Sequence, residues 1–179
     1  METSIVARAR AFALARHDGQ TRKDLARTPY WRHLEEVAFL GAGFGGEDEV
    51  VAAAWLHDTV EDCPPTSLAE IETVFGPRVA AIVAEVTDDK NLDAAERKRL
   101  QVATARAKSP GAALVKLCDK IGNVRSVGET PPHDWPQTRR IAYLDWAEEV
   151  VAGLRDLPEA AAAAFRTVLE SARVTVGPR

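Results

Sequence analysis

A short acidic run follows an apolar one near the first third of this chain. Val50 to Leu56 is wholly apolar, and His57, Asp58, Glu61 and Asp62 come directly after it. Each of those four side chains can bind a metal or move a proton. On one helix, His57 and Glu61 are i,i+4 neighbours, and so are Asp58 and Asp62. Like charges at that spacing destabilise a helix by roughly 0.2–0.5 kcal/mol per pair. The C-terminal end of a helix disfavours anions by a further ~0.3–1 kcal/mol each, and burial beside the apolar run raises the penalty. A divalent cation reverses the sign of all three effects.

One His and one Asp do not complete a site. The chain has four histidines, and His33 sits early in a segment whose other residues alternate apolar and acidic. Asp119 ends the apolar run from Ala112 to Cys118, again a carboxylate where a core residue is expected. His33, His57, Asp58 and Asp119 together offer two imidazoles and two carboxylates. Such mixed N/O donors suit manganese, iron or another divalent ion better than a thiolate-type structural zinc site. Three or four protein ligands leave positions open for water and a phosphate oxygen. Each piece also has a plainer reading. An isolated His-Asp pair is common, His33 alone reads as a satisfied buried histidine, and Asp119 alone reads as a cap or a partner of Lys120 or Arg125. The clustered acids at 57–62 are the part that the plainer readings explain least well.

The elements that must carry these residues read as helices throughout. Ile5, Val6, Ala9, Phe12 and Ala13 recur at helical spacing and stop before His17-Asp18-Gly19-Gln20. A basic loop, Thr21 to Asp24, follows. Pro29-Tyr30 precedes a helix from Trp31 to Leu40 that ends in Gly41-Ala42-Gly43. The helix bearing His57 to Asp62 is halted by Pro64-Pro65. Ser67-x-x-Glu70 has the form of a capping box, with Gly76 at the far end of that helix and Pro77 opening the next, which runs toward Glu85. Asp93-x-x-Glu96 caps a basic helix with Arg97-Lys98-Arg99, and Ser109-Pro110 opens the helix that reaches Asp119. Trp135 to Leu154 is amphipathic, and an Ala-rich helix over 159–172 closes the chain. The expectation is an all-α fold in one domain over 1–179, with a helical core over about 3–157.

Bulk composition limits the function classes. A chain of 179 residues with 46% apolar and 28% charged side chains has enough material for a full core. A net charge of −4 argues against broad binding to nucleic acid or anionic membranes. Two cysteines, Cys63 and Cys118, make no disulfide framework. With no secretory leader and no spanning apolar run, a cytoplasmic protein is expected.

The chain resembles the HD superfamily of metal-dependent phosphohydrolases, and within it the hydrolase domain of the RelA/SpoT proteins. The finer likeness is to small stand-alone alarmone hydrolases, the metazoan SpoT homologue among them. It is carried by His17-Asp18-Gly19-Gln20-Thr21-Arg22-Lys23, Pro29-Tyr30-x-x-His33, Leu56-His57-Asp58-Thr59-Val60-Glu61-Asp62 and Phe75-Gly76. Further blocks are Glu85-Val86-Thr87-Asp88-Asp89-Lys90, Glu96 to Gln101, Leu114 to Asp119 with Lys120-Ile121-x-Asn123-x-Arg125, and Trp135-x-x-x-Arg139-x-x-x-Tyr143-x-x-Trp146-Ala147.

The resemblance implies a helical fold around one divalent ion, usually manganese. It implies removal of pyrophosphate from the 3′ position of guanosine 3′,5′-bis(diphosphate) and its pentaphosphate relative, the alarmones of the stringent response. Carried over by position, His33, His57, Asp58 and Asp119 would be metal ligands, and Glu61 and Asp62 the catalytic acids. Arg22 and Lys23 would pack on the guanine base, Asn123 would contact the nucleoside, and Arg139 and Tyr143 would face the sugar or its phosphates. Arg97-Lys98-Arg99 reads as a solvated face, with Lys98 and Arg99 as the members able to reach a phosphate. No synthetase domain follows, so degradation without synthesis is expected.

The chain departs from the family pattern at four places. Leu34 follows the first ligand where proline is frequent. Cys118 replaces alanine before the distant aspartate. Pro64-Pro65 follows the acidic cluster, and Gly122 replaces a larger residue beside Asn123. Two alternatives keep the site and change its use: another nucleotide phosphatase, such as one acting on the 2′-phosphate of NADPH, or a nucleotide sensor without catalysis. A dinuclear site would need more histidines than His17 and His133 can add.

Overall fold

A computed structural model describes residues 4–178. Among these, ten α-helices and one 3₁₀ turn follow in order: α1 Ile5–Arg16, α2 Trp31–Gly43, α3 Asp48–Leu56, α4 Thr59–Asp62, α5 Leu68–Phe75, α6 Pro77–Val86, α7 Ala94–Thr104, the 3₁₀ turn Ala105–Ala107, α8 Pro110–Glu129, α9 Gln137–Gly153 and α10 Glu159–Val176. The described residues form no strand. A single antiparallel bridge, Thr21 to Pro29, closes the loop between α1 and α2. The all-α expectation is borne out.

Two helices organise the rest. Every residue of α3 from Val50 to Leu56 is buried, because α1, α2, α6 and α8 surround it. A helix apolar on all sides is stable only when enclosed in this way. Helix α8 is the second axis and packs on α2, α3, α6, α9 and, most extensively, α10. Glycine permits that last contact, since a Cβ on Gly128 would sit 3.0 Å from the Ala172 Cα. The C-terminal end of α3, the start of α2 and the middle of α8 therefore meet.

The caps follow the sequence signals with informative exceptions. Ser67, Asp93 and Ser109 accept from the amides of Glu70, Glu96 and Ala112. Pro77 and Pro110 open α6 and α8. The capping box at Ser67 is only half formed, because the Glu70 carboxylate pairs with Arg16. Helix α2 does not end at Gly41 but runs through Gly43. The reversal lies at Gly45, with φ +86°, and at Gly46, where a Cβ would meet the Gly41 carbonyl oxygen at 2.9 Å.

The larger correction concerns 57–62, which is not one continuous helix. Helix α3 stops at Leu56, and Asp58 lies at φ −101°, ψ −5° before the single turn α4. Side chains take over the backbone acceptors there: Thr59 Oγ1 donates to Leu56 O at 2.7 Å, and His57 Nδ1 lies 2.8 Å from Ala54 O. No helix among the described residues is long and apolar enough to cross a membrane.

Candidate metal centre

His33 enters from the first turn of α2, His57 and Asp58 from the break after α3, and Asp119 from the middle of α8. Donor atoms of His33, His57 and Asp58 all lie within 4.8 Å of one another. Asp58 Oδ2 is 3.0 Å from His57 Nε2 and 3.9 Å from His33 Nε2. Asp119 Oδ1 stands outside that tight trio but lies 3.2 Å from His33 Nε2 and 3.8 Å from His57 Nε2. The imidazoles are buried, yet neither Nε2 makes a hydrogen bond. Close donor atoms that do not bond to each other, with two orphaned imidazole nitrogens among them, fit a divalent cation. The mixed N/O donor set fits it as well.

Electrostatics without a cation show the strain. Burial opposes a charge on His57, but the Asp58 carboxylate outweighs it and lifts the imidazole to about 9. Burial likewise opposes ionisation of Asp58, and the neighbouring His57 charge holds its carboxyl well below the usual range. For Asp119 burial is again overcome, chiefly by the Lys120 ammonium, so its carboxyl is also held low. His33 is pushed down by burial. Lys120 is buried, 3.4 Å from Asp119 Oδ2 and 4.2 Å from the Trp146 ring centre, and desolvation lowers it to about 8.

The two further acids flank this cluster on α4. Glu61 Oε2 accepts the Asp88 amide at 3.2 Å, while Oε1 lies 3.8 Å from Arg97 and 3.9 Å from Lys90. Burial, then the charge of Asp58, raises the Glu61 carboxyl above its ordinary value. Asp62 is paired with Lys90 through its side chain, and its carbonyl accepts from Gln20.

On the α8 side, Asn123 Nδ2 donates to Asp119 Oδ1 at 2.5 Å, and Asn123 Oδ1 accepts from Arg22 at 2.9 Å. A cavity of about 230 Å³ adjoins this pair, and Arg22, Lys23, Asn123 and Tyr143 line it with Tyr30 and Trp135. Arg139 is not among its walls; it lies exposed over the Trp135 ring, 4.4 Å from the centre. The structure thus gathers Arg22, Lys23, Asn123 and Tyr143 and leaves Arg139 at the rim. Cys118 is buried with its thiol pushed up to about 12 by desolvation, which suits a packing residue and not a ligand.

Two features escaped the sequence reading. Tyr30 Oη donates to Asp58 Oδ2 at 2.7 Å, and the Tyr30 ring stacks on His17 with centres 5.0 Å apart. His17 in turn contacts Gln20 Oε1 at 2.8 Å. The Pro29-Tyr30 signal was visible, but a tyrosine at a helix start carries no mark of its partner. The basic run also divides: Arg97 turns to Glu61, while Lys98, 5.0 Å from the Trp146 ring centre, and Arg99, paired with Glu96, stay exposed.

The chain is similar to known proteins over most of its length. The HD domain family profile matches residues 9–144. The human protein named guanosine-3′,5′-bis(diphosphate) 3′-pyrophosphohydrolase MESH1 is 47% identical over 146 residues, which is 80% of this chain and 81% of that protein. The Xenopus tropicalis protein of that name is 46% identical over 86% of this chain and 87% of its own. A solved structure, described as a metazoan ortholog of SpoT that hydrolyzes ppGpp, superposes with a TM-score of 0.89 at 36% identity, covering 95% of this chain and 96% of that one. A Listeria monocytogenes structure superposes with a TM-score of 0.63 at 27% identity over 77% of this chain and 99% of its own. By profile, sequence and superposition alike, the chain is a member of the HD domain family.

Proposed function

We infer that this protein is a metal-dependent hydrolase of guanosine 3′,5′-bis(diphosphate) and guanosine pentaphosphate, acting at the 3′ position to release pyrophosphate. The carrying observation is the Asp119–Asn123–Arg22 chain, which joins the cluster of metal donors to a cavity lined by cationic and aromatic side chains. The high identity to proteins named for this activity, across four-fifths of both chains, supports the same reading.

In this reading His33, His57, Asp58 and Asp119 would hold one divalent ion, and manganese is our assignment for it. A bound divalent ion lowers the pKa of its water and offsets charge on phosphoryl oxygens. Glu61, whose carboxyl burial and the Asp58 charge raise above its ordinary value, takes the proton from the attacking water. Asp62, held by Lys90, orients that water beside it. The water oxygen joins the phosphorus next to the 3′ oxygen, and the bond between them breaks. The departing 3′ oxygen takes the proton that Glu61 removed from the water, so the tetraphosphate substrate yields guanosine 5′-diphosphate and pyrophosphate. Arg22 and Lys23 stack on the base, where a cation–π contact contributes ~0.5–2 kcal/mol. Asn123 fixes the nucleoside, and Tyr143 in the cavity wall and Arg139 at its rim over Trp135 face the sugar or its phosphates. Cytoplasmic placement is part of the proposal, supported by the free thiols of Cys63 and Cys118.

Purified protein incubated with Mn²⁺ and the tetraphosphate is expected to release pyrophosphate and leave guanosine 5′-diphosphate. Chelation stops turnover and Mn²⁺ restores it. Preferential release of orthophosphate from NADPH in the same assay, by orders of magnitude in kcat/KM, would replace this substrate with the other.

A further inference from the structure

The two histidines of the centre are held differently. His57 has an acceptor for its outer nitrogen in the Ala54 carbonyl. His33 is equally buried, but its Nδ1 has no hydrogen-bond partner among the described residues. A buried N–H without an acceptor carries its full desolvation penalty. The nitrogen that carries the proton also decides whether His33 can act as a ligand. The competing tautomer has an attraction of its own, since Asp119 Oδ1 lies 3.2 Å from Nε2. Some acceptor must hold the proton on Nδ1.

One carboxylate is placed for that task. Glu36 stands one turn after His33 on α2. A Cβ on Gly122 of α8 would lie 2.9 Å from Glu36 Oε2 and 3.4 Å from His33 Nδ1. The carboxylate therefore occupies the space that a side chain at 122 would fill, beside the open edge of the His33 ring. The other oxygen, Oε1, is paired with Arg125, three residues along α8. A cavity of about 190 Å³, with His33, Glu36, Gly122 and Arg125 in its wall, leaves room for the carboxylate to turn or for a bridging water. Gly122 is also where the chain departs from the family it resembles, and the departure now has a physical reason.

We propose that Glu36 is a positioning residue of the metal centre: its Oε2, admitted by Gly122 and steadied by Arg125, accepts the Nδ1–H of His33 and keeps Nε2 facing Asp58 and Asp119. This rests on the metal-binding part of the proposed function and is independent of the substrate. Outer partners of this kind typically change metal affinity 10–100-fold when removed.

The test reads His33 directly. Long-range ¹H–¹⁵N spectra of the metal-free protein report which nitrogen is protonated, and calorimetric titration with Mn²⁺ reports affinity. Wild type and Glu36→Gln, which keeps an acceptor oxygen, are expected to carry the proton on Nδ1. Glu36→Ala moves it to Nε2 and weakens Mn²⁺ binding by ~10–100-fold. Gly122→Ala, which crowds the carboxylate, shifts both readouts in the same direction by less. Wild-type tautomer and affinity in Glu36→Ala and Gly122→Ala overturn the proposal. So does a lowered Tm with an unmoved tautomer, the mark of a purely structural role. If the tautomer and affinity shift as expected but guanosine tetraphosphate is not hydrolysed, the substrate reading fails and the role of Glu36 stands.

Discussion

At the scale of single residues, the proposed metal donors and the proposed proton-moving acids have separable signatures. His57→Ala and Asp58→Ala each remove a donor from the trio within 4.8 Å. Both are expected to lose Mn²⁺ binding and turnover together, by more than the ~10–100-fold that follows loss of an outer partner; calorimetry and a turnover assay on the same preparation check this. Glu61→Gln differs, because Glu61 lies beside the donors and not among them. It is expected to keep Mn²⁺ affinity while kcat falls ~10²–10⁴-fold, and an unchanged kcat removes it from the mechanism. Arg22→Ala loses the bond to Asn123 and, in the proposed reading, the cation that stacks on the base. Its expected effect is on KM, by roughly two- to thirty-fold if ~0.5–2 kcal/mol of base contact is lost, with kcat less affected.

At the scale of elements, the centre depends on close approach between helices. Helix α8 supplies Asp119 and Asn123 and is held on its far side by α10. Gly128→Ala would force a Cβ to 3.0 Å from the Ala172 Cα, a backbone atom that cannot swing aside. Overpacking of this kind destabilises by ~1–3 kcal/mol. Denaturant unfolding should show a lower midpoint with an unchanged slope, while Mn²⁺ affinity measured well below the midpoint changes little. The α3–α4 break shows the same dependence from another side. His57 and Asp58 stand where α3 gives way to α4, and the His57 and Thr59 side chains there bond the Ala54 and Leu56 carbonyls of α3.

At the scale of the whole molecule, the metal-free protein should carry a pH signature. His57 is raised to about 9 in the fold, against an ordinary value near 6.5. Its contribution to stability is full below 6.5 and disappears as pH rises through 9. Asp58 and Asp119 are held below their ordinary value, so their contribution is present above about 4 and lost at lower pH. The metal-free protein is therefore expected to lose Tm between pH 6.5 and 8, above which proton loss from Lys120, lowered to about 8, acts in the opposite direction. Mn²⁺ must displace the His57 proton, so its affinity and the Tm gain it confers should grow over the same window. At a concentration of 100 Kd the gain corresponds to about 2.7 kcal/mol. A metal-free Tm that is flat from 6.5 to 8 contradicts this linkage.

The sequence alone determined the helical character, most caps and the types of residue that gather at the centre. Hydrophobic spacing, Ser67, Asp93 and Ser109 before helices, and prolines at first turns are local signals, and local backbone physics suffices to read them. An acidic cluster after an apolar run is also local, because its electrostatic penalty is visible without coordinates. Only the tertiary structure decided how the chain bends at 57–58, that Tyr30 reaches Asp58, and that Arg97 turns inward while Arg139 stays on Trp135. It alone showed Glu36 filling the space over Gly122 beside His33. These outcomes depend on distances between residues far apart in the chain, set by how α2, α3 and α8 pack, and a periodicity along one segment carries no information about the direction of another.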